Sequence, residues 1–131
     1  GTVNMDAETK FKILVVDDDE ALLGAVKRLL VELGHDVICA SSARQGVELV
    51  ASTMFDFIFV DYRMPEHDGA WFLRNAKVPR KTKVLLSTAF AHKSVLTEMF
   101  KLGACGYLIK PYDERDIIKN IEFHSSRRTV E

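Results

Sequence analysis

The segment FDFIFVDYRMPEHDG, Phe55 to Gly69, decides the fold and carries the residue around which the rest of the chain is arranged. Its apolar run, Phe57 to Val60, is short, aromatic and β-branched, which is typical of a strand buried on both faces of a parallel sheet. Asp61 follows directly. Because ligands of open α/β sheets bind beyond the carboxyl ends of the strands, Asp61 is the first candidate for a functional carboxylate. Pro65 and Gly69 then shape a tight loop.

The composition indicates a single globular domain without a nucleic-acid or membrane surface. The chain has 131 residues, of which 47% are hydrophobic, so it can bury a core without disulfides or structural metal. Its 18 basic and 19 acidic residues give a net charge of −1, which argues against direct nucleic-acid binding and attraction to an anionic membrane. Cys39 and Cys105 lack metal-ligand spacing, and no apolar run is long enough to span a membrane. We therefore expect a cytoplasmic protein.

The expected domain covers residues 11–125. Residues 1–10 are interpreted as a vector-derived remnant and flexible lead, because Gly1 to Asn4 precede Met5, and residues 126–131 as a C-terminal tail.

Five predicted strands alternate with five predicted helices, which indicates a parallel sheet with helices on both faces. The strands are predicted at 12–16, 37–40, 57–60, 84–86 and 106–109, and the helix at 70–76 has the weakest pattern. Asp19, the pair Ser41-Ser42, and Asp113 are predicted to cap helices. The apolar stripe predicted for the second helix is Ala43, Val47, Val50, Ala51 and Met54.

Polar residues follow the predicted strands and should meet at one edge of the sheet. They are Asp17, Asp18 and Asp19 after the first strand, Asp61 after the third, Thr88 after the fourth and Lys110 after the fifth. Clustered carboxylates repel each other, and a hard divalent cation such as Mg²⁺ with oxygen ligands relieves that repulsion. An ammonium and a hydroxyl beside them complete a site suited to a phosphoryl group, with one carboxylate as nucleophile.

Four motifs occur in a specific order along the chain: Asp17-Asp18, D-x-x-M-P-x-x-x-G from Asp61 to Gly69, Thr88-Ala89, and Lys110-Pro111. Over about residues 11–125 the chain resembles the response regulator receiver domain of two-component signal transduction. The resemblance implies an α/β fold of the flavodoxin-like (βα)5 type, a doubly wound sandwich with a five-stranded parallel sheet in the order 2-1-3-4-5.

The resemblance also implies a phosphoacceptor and a metal site. Asp61 corresponds to the aspartate that takes a phosphoryl group from a sensor histidine kinase or a histidine phosphotransfer protein. Asp18 corresponds to a direct Mg²⁺ ligand and Asp17 to a ligand acting largely through water. Asp61 and the backbone carbonyl of Arg63 complete the implied metal set. The domain is then a phosphoacceptor switch rather than an enzyme, although it takes part in its own phosphotransfer and autodephosphorylation.

Further positions correspond to the residues that read the phosphoryl group. Thr88 and Lys110 match the sensing hydroxyl and ammonium, and Tyr107 matches the aromatic whose rotation reports the state. The surface of the fourth helix, fifth strand and fifth helix is expected to change, which affects an unknown output partner or a phosphorylation-linked homodimer. Arg63 and Phe90, two residues beyond Asp61 and Thr88, are predicted to flank the phosphoryl group and to slow autodephosphorylation.

Other interpretations of these residues stay open. A haloacid-dehalogenase-type phosphatase also uses Mg²⁺ and an aspartyl phosphate, although its motif order differs, and a phosphorylation-independent interaction module would share the fold. A flavodoxin-like cofactor binder fits less well, because the acidic loop after the first strand would repel FMN phosphate. Asp19 can be only a helix cap, and Tyr107 only a strand aromatic. The four histidines (His35, His67, His92 and His124) are assigned to surface positions, and Trp71 to packing.

Overall fold

The computed structural model describes residues 9–126, with five parallel strands at its centre. These are β1 (Lys12–Val16), β2 (Asp36–Ala40), β3 (Phe57–Val60), β4 (Lys83–Thr88) and β5 (Ala104–Ile109). Their order is β2-β1-β3-β4-β5, and every neighbouring pair is parallel. All four residues of β3 are buried. The predicted fold and strand order are therefore confirmed, with β2, β4 and β5 longer than predicted.

Five helices cover the two faces of this sheet: α1 (Glu20–Glu32), α2 (Ala43–Ser52), α3 (Gly69–Asn75), α4 (Lys93–Lys101) and α5 (Glu114–Ser126). One core cluster joins a face of the sheet to residues of α2, α3 and α4, including Phe72 and Met99. The other joins the opposite face to α1 and α5, including Leu30 and Ile117. Burial on both faces explains why the central strands are apolar throughout.

The predicted helix caps are present, although only Ser42 of the pair Ser41-Ser42 caps α2. Asp19, Ser42 and Asp113 each accept a hydrogen bond from the backbone N–H three residues further along the chain. Asp68 is a cap that the sequence analysis did not single out, and its Oδ1 accepts from the Trp71 N–H at 2.8 Å. This cap fixes the start of the short helix α3, which the loop after Asp61 leads into.

The stripe predicted for the second helix is wrong at its C-terminal end. Helix α2 ends at Ser52, and both Ala51 and Met54 are exposed, Met54 by 56%. The face turned inward contains Gly46 instead, where an added Cβ would come within 2.9 Å of the Phe72 ring. Helix α2 therefore approaches α3 closely through a residue without a side chain, which a hydrophobic stripe cannot reveal.

The prediction that His124 lies on the surface is also wrong. His124 is only 5% exposed and lies against β5, where a Cβ at Gly106 would come within 2.8 Å of its Nε2 atom. Its Nδ1 atom is 3.6 Å from the Cys105 Sγ atom. Cys105 occupies an irregularity in the pairing of β5 with β4 and is exposed. A glycine on the neighbouring strand makes room for the imidazole ring.

Candidate functional site

Asp17 and Lys110 form an ion pair at the carboxyl edge of the sheet. The Lys110 Nζ atom donates to Asp17 Oδ2 at 2.7 Å, and Asp17 is only 2% exposed. The other carboxylate oxygen of Asp17 accepts from the Asp19 N–H at 2.9 Å. The Asp17 N–H continues the strand pairing by donating to the Ala40 carbonyl. The ends of the first and last strands therefore bring together two opposite charges that are 93 residues apart in the sequence.

Asp61 lies beside this pair at the end of β3. Its N–H donates to the Val16 carbonyl, and its Oδ1 atom accepts from the Tyr62 N–H at 2.8 Å. Its Oδ2 atom is 3.4 Å from Lys110 Nζ. Burial, followed by the negative charge of Asp17, raises the pKa of Asp61 to about 6, although Lys110 and the Tyr62 N–H act in the opposite direction. The positive charge of Lys110 therefore does not offset the effect of burial and of the Asp17 charge on the pKa of Asp61.

This carboxylate cluster has the donor set of a hard divalent cation. Ligand oxygens of Asp17, Asp18 and Asp61 lie within 4.8 Å of one another, with Asp18 exposed and the other two buried. Three ionised carboxylates and one ammonium leave two negative charges, which a divalent cation would balance. Oxygen ligands and an exposed side open to water fit Mg²⁺. Among residues 9–126, this is the group of acidic, histidine and cysteine side chains that could hold a metal ion.

The loop after Asp61 is closed by Gly69. The Gly69 N–H donates to the Tyr62 carbonyl at 2.8 Å, and an added Cβ would come within 2.5 Å of the Asp61 carbonyl oxygen. A side chain at this position would therefore collide with the backbone of Asp61. The tight geometry predicted for Gly69 is confirmed.

Thr88 ends strand β4 and is 1% exposed. Its Oγ1 atom accepts from the Phe90 N–H at 3.1 Å, and its carbonyl accepts from the Lys110 N–H at 2.9 Å. Thr88 and Lys110 thus lie at the same edge of the sheet as Asp17 and Asp61. The structure brings together the strand-end residues that the sequence predicted to meet.

Tyr107, Arg63 and Phe90 are exposed, unlike Asp17 and Asp61. Tyr107 is 41% exposed, and its ring centroid is 6.2 Å from that of Phe100 on α4. The Arg63 guanidinium lies over the Phe90 ring, with its Cζ atom 4.6 Å from the ring centroid. This cation–π contact joins the loop after β3 to the loop after β4.

Long-range contacts that no sequence motif predicts connect the site to α4. The Tyr62 hydroxyl donates to Glu98 Oε1 at 2.9 Å, and Arg74 Nη2 lies 2.8 Å from Glu98 Oε2. Burial and the hydrogen bond to Glu98 raise the pKa of Tyr62 to about 12, so the phenol stays protonated as the donor. Tyr62 and Glu98 are 36 residues apart. No local pattern in the sequence marks such a pair.

The doubly wound sheet and the acidic cluster at its carboxyl edge are both features of the receiver domains that the sequence resembles. Residues 13–122 match the family model described as the response regulator receiver domain. The chain therefore belongs to the receiver-domain family, whose members act as phosphoacceptor switches in two-component signalling and are phosphorylated by histidine kinases.

Curated relatives and solved structures agree with this assignment. The transcriptional regulatory protein ZraR of Escherichia coli K12 is 38% identical over 111 residues, which is 84% of this chain and 25% of ZraR. The two-component response regulator ORR21 of Oryza sativa subsp. indica is 34% identical, over 89% of this chain and 17% of ORR21. The chain thus spans a quarter or less of the length of these two relatives.

A solved CheY-like receiver domain from Methanospirillum hungatei superposes with a TM-score of 0.86 at 27% identity, covering 94% of this chain and 100% of that one. A receiver domain from Clostridium thermocellum superposes with a TM-score of 0.80 at 30% identity, covering 91% and 97%. Among the described residues, no helix has the length and apolar character required to cross a membrane.

Proposed function

We propose that this domain is a phosphorylation-dependent switch that takes a phosphoryl group onto Asp61 in a Mg²⁺-dependent reaction. The observation that carries the proposal is the cluster of Asp17, Asp18 and Asp61 within 4.8 Å, with Lys110 close to two of them. The donor is a sensor histidine kinase or a histidine phosphotransfer protein. An Asp61 oxygen attacks phosphorus, the phosphorus–nitrogen bond of the phosphohistidine breaks, and the imidazole keeps the electron pair.

Each residue of the site has a role in this transfer. Asp17, Asp18, Asp61 and the Arg63 carbonyl would hold Mg²⁺, which supplies positive charge for the phosphoryl oxygens. Lys110, directly after β5, neutralises charge on the same group. The Thr88 hydroxyl, whose oxygen accepts from the Phe90 N–H, donates its O–H to a phosphoryl oxygen.

The direct test is intact-mass spectrometry after incubation with acetyl phosphate. We expect one phosphoryl group per chain with Mg²⁺ and none with EDTA. A protein that hydrolyses a phosphate ester with multiple turnovers would instead be a phosphatase, and a protein that never acquires the group would be an interaction module. The proposal includes domain limits of 11–125. It also includes a cytoplasmic location, since a kinase and its substrate must share a compartment.

The output surface is formed by α4, β5 and α5. Phe100, Tyr107 and Ile109 on α4 and β5 are 42%, 41% and 50% exposed, and Phe123 on α5 is 61% exposed. Exposed aromatic and aliphatic groups on neighbouring elements favour a protein partner, either an output protein or a second copy of this chain.

Phosphorylation should change amide exchange on this surface. Beryllium fluoride with Mg²⁺ mimics the phosphoryl group, so Thr88 should move toward it and Tyr107 should turn into the space left behind. We expect exchange between Lys93 and Lys119 to change by about tenfold, which corresponds to ~1.4 kcal/mol. Hydrogen exchange with mass spectrometry measures this, with α2 as the internal control. Unchanged exchange in both α4 and β5 would refute the switch.

The lifetime of the phosphorylated state should depend on Arg63 and Phe90. Their cation–π contact bridges the two loops that follow Asp61 and Thr88, so it restricts the approach of water to the phosphoryl group. We expect Phe90→Ala and Arg63→Asn each to accelerate phosphoryl loss about two- to fivefold, since an exposed contact of this kind contributes ~0.5–1 kcal/mol. Loss of the adduct mass with time measures the rate. Lys77→Ala, at an exposed position beyond α3, is the control. If neither substitution accelerates hydrolysis, this pair does not control access.

A further inference from the structure

We propose that Tyr62 is a positioning residue that transmits the state of Asp61 to helix α4 through its hydroxyl group. The proposal deepens the proposed function and rests on it for the role of Asp61. The Tyr62 N–H donates to Asp61 Oδ1 at 2.8 Å, and the Tyr62 hydroxyl donates to Glu98 Oε1 at 2.9 Å. One residue is therefore hydrogen-bonded both to the carboxylate of the site and to α4.

The backbone between these two hydrogen bonds has little freedom to move alone. The Asp61 N–H is bonded to the Val16 carbonyl, and the Tyr62 carbonyl accepts from the Gly69 N–H. An added Cβ at Gly69 would come within 3.1 Å of the Tyr62 Cα atom and within 3.2 Å of the methyl group of Met99, a fully buried residue of α4. The end of β3, the start of α3 and the inner face of α4 are thus packed directly against one another. A rearrangement at Asp61 must be accommodated by these neighbours.

Glu98 is held at both of its oxygens. Oε1 accepts from Tyr62, and Oε2 lies 2.8 Å from Arg74 Nη2 on α3. The Arg74 side chain is 54% exposed, so solvent screens this ion pair and its contribution is small. The bond from the phenol to a carboxylate is charge-assisted, and Tyr62 is partly buried against the core. The phenol is therefore the less solvent-screened of the two restraints on Glu98.

Phosphorylation would weaken the hydrogen bond at the other end of Tyr62. Conversion of the carboxylate to an acyl phosphate moves negative charge from the Asp61 oxygens to the phosphoryl oxygens. Asp61 Oδ1 then becomes a poorer acceptor for the Tyr62 N–H. Because the Tyr62 hydroxyl remains hydrogen-bonded to Glu98, a displacement of the Tyr62 backbone is transmitted to α4 through this bond. This route runs through the loop after β3 and is separate from Thr88 and Tyr107, which lie on β4 and β5.

The test compares hydrogen exchange of α4 in the wild-type protein and in Tyr62→Phe, which removes only the hydroxyl. Without phosphorylation, we expect the amides from Lys93 to Lys101 to exchange about tenfold faster in the variant, the factor expected for loss of one charge-assisted hydrogen bond. Glu98→Ala should accelerate exchange at least as much, because it also removes the contact with Arg74. The double variant should exchange no faster than Glu98→Ala, because both substitutions remove the bond between the phenol and the carboxylate. The response of α4 to beryllium fluoride should shrink in Tyr62→Phe.

Tyr112→Phe is the matched control. The Tyr112 hydroxyl accepts from Ser87 at 3.2 Å, so the same chemical change is made away from α4, and exchange there should stay within roughly twofold of wild type. Wild-type exchange of α4 in both Tyr62→Phe and Glu98→Ala would overturn the proposal, as would an undiminished beryllium fluoride response in Tyr62→Phe. The role of Asp61 is tested separately, by acetyl phosphate labelling of the wild type. Absence of the adduct there would overturn the role of Asp61, while exchange in the unphosphorylated variants still reports on the Tyr62–Glu98 bond.

Discussion

The Asp61→Asn variant will acquire no phosphoryl group from acetyl phosphate in the presence of Mg²⁺. The substitution keeps the size of the side chain but removes the nucleophilic carboxylate. Asp17 is a poorer nucleophile, because Lys110 Nζ lies closer to its Oδ2 atom, at 2.7 Å against 3.4 Å for Asp61, and because Asp17 is only 2% exposed. Asp18 is exposed and lacks the positive charge that Lys110 provides beside Asp61. Intact mass measures the result, and the expected loss is complete.

Asp56→Asn is the matched control for this experiment. Asp56 precedes the same strand, and its Oδ2 atom accepts from the Lys12 N–H at 2.8 Å, which places it at the opposite edge of the sheet. This variant should be labelled to the same extent as the wild type. An adduct that survives in Asp61→Asn and maps to Asp17 or Asp18 would show that the acceptor has been assigned to the wrong carboxylate.

The same Asp61→Asn substitution should stabilise the protein in the absence of Mg²⁺ at pH 8. Burial and the charge of Asp17 raise the pKa of Asp61 from 3.8 to about 6. One pKa unit corresponds to ~1.4 kcal/mol, so ionised Asp61 destabilises the folded state by roughly 2–3 kcal/mol. Asparagine removes this charge, and we expect the free energy of unfolding to rise by about 2 kcal/mol. Urea denaturation with EDTA present measures the difference.

The pH dependence of this difference follows from the sign of the pKa change. Between pH 4 and 6 the folded state of the wild type holds a proton on Asp61 that the unfolded state has released, so wild-type stability falls as pH rises through this window. The advantage of asparagine should therefore be small near pH 4 and complete above about pH 6. Mg²⁺ should reduce it, because the cation binds the folded wild type more tightly than the variant.

Asp113→Asn is the control for loss of a negative charge. Hydrogen bonds from the N–H groups near Asp116 lower the pKa of Asp113, so its ionised form favours the folded state. Removing this charge should give no stabilisation at any pH. If Asp61→Asn is less stable than the wild type, or if its advantage is independent of pH, then Asp61 is not destabilised by burial beside Asp17.

The sequence by itself determined the fold and the set of residues at the edge of the sheet. Continuous apolar runs predict buried parallel strands, and parallel strands bring their carboxyl ends to one edge. Asp17, Asp61, Thr88 and Lys110 could therefore be placed together although they are far apart in the chain. Helix caps were predictable for a different reason, because a cap depends on residues only three positions apart.

Only the tertiary structure decided how these groups are paired and which surfaces touch. It places Lys110 closer to Asp17 than to Asp61, which helps to leave Asp61 with a raised pKa. It also turns His124 inward, beside a glycine on the neighbouring strand. Tyr62 meets Glu98 across 36 residues, a contact that periodicity cannot predict. Burial and side-chain distances depend on how separate elements pack, whereas the sequence pattern records only which face of each element is apolar.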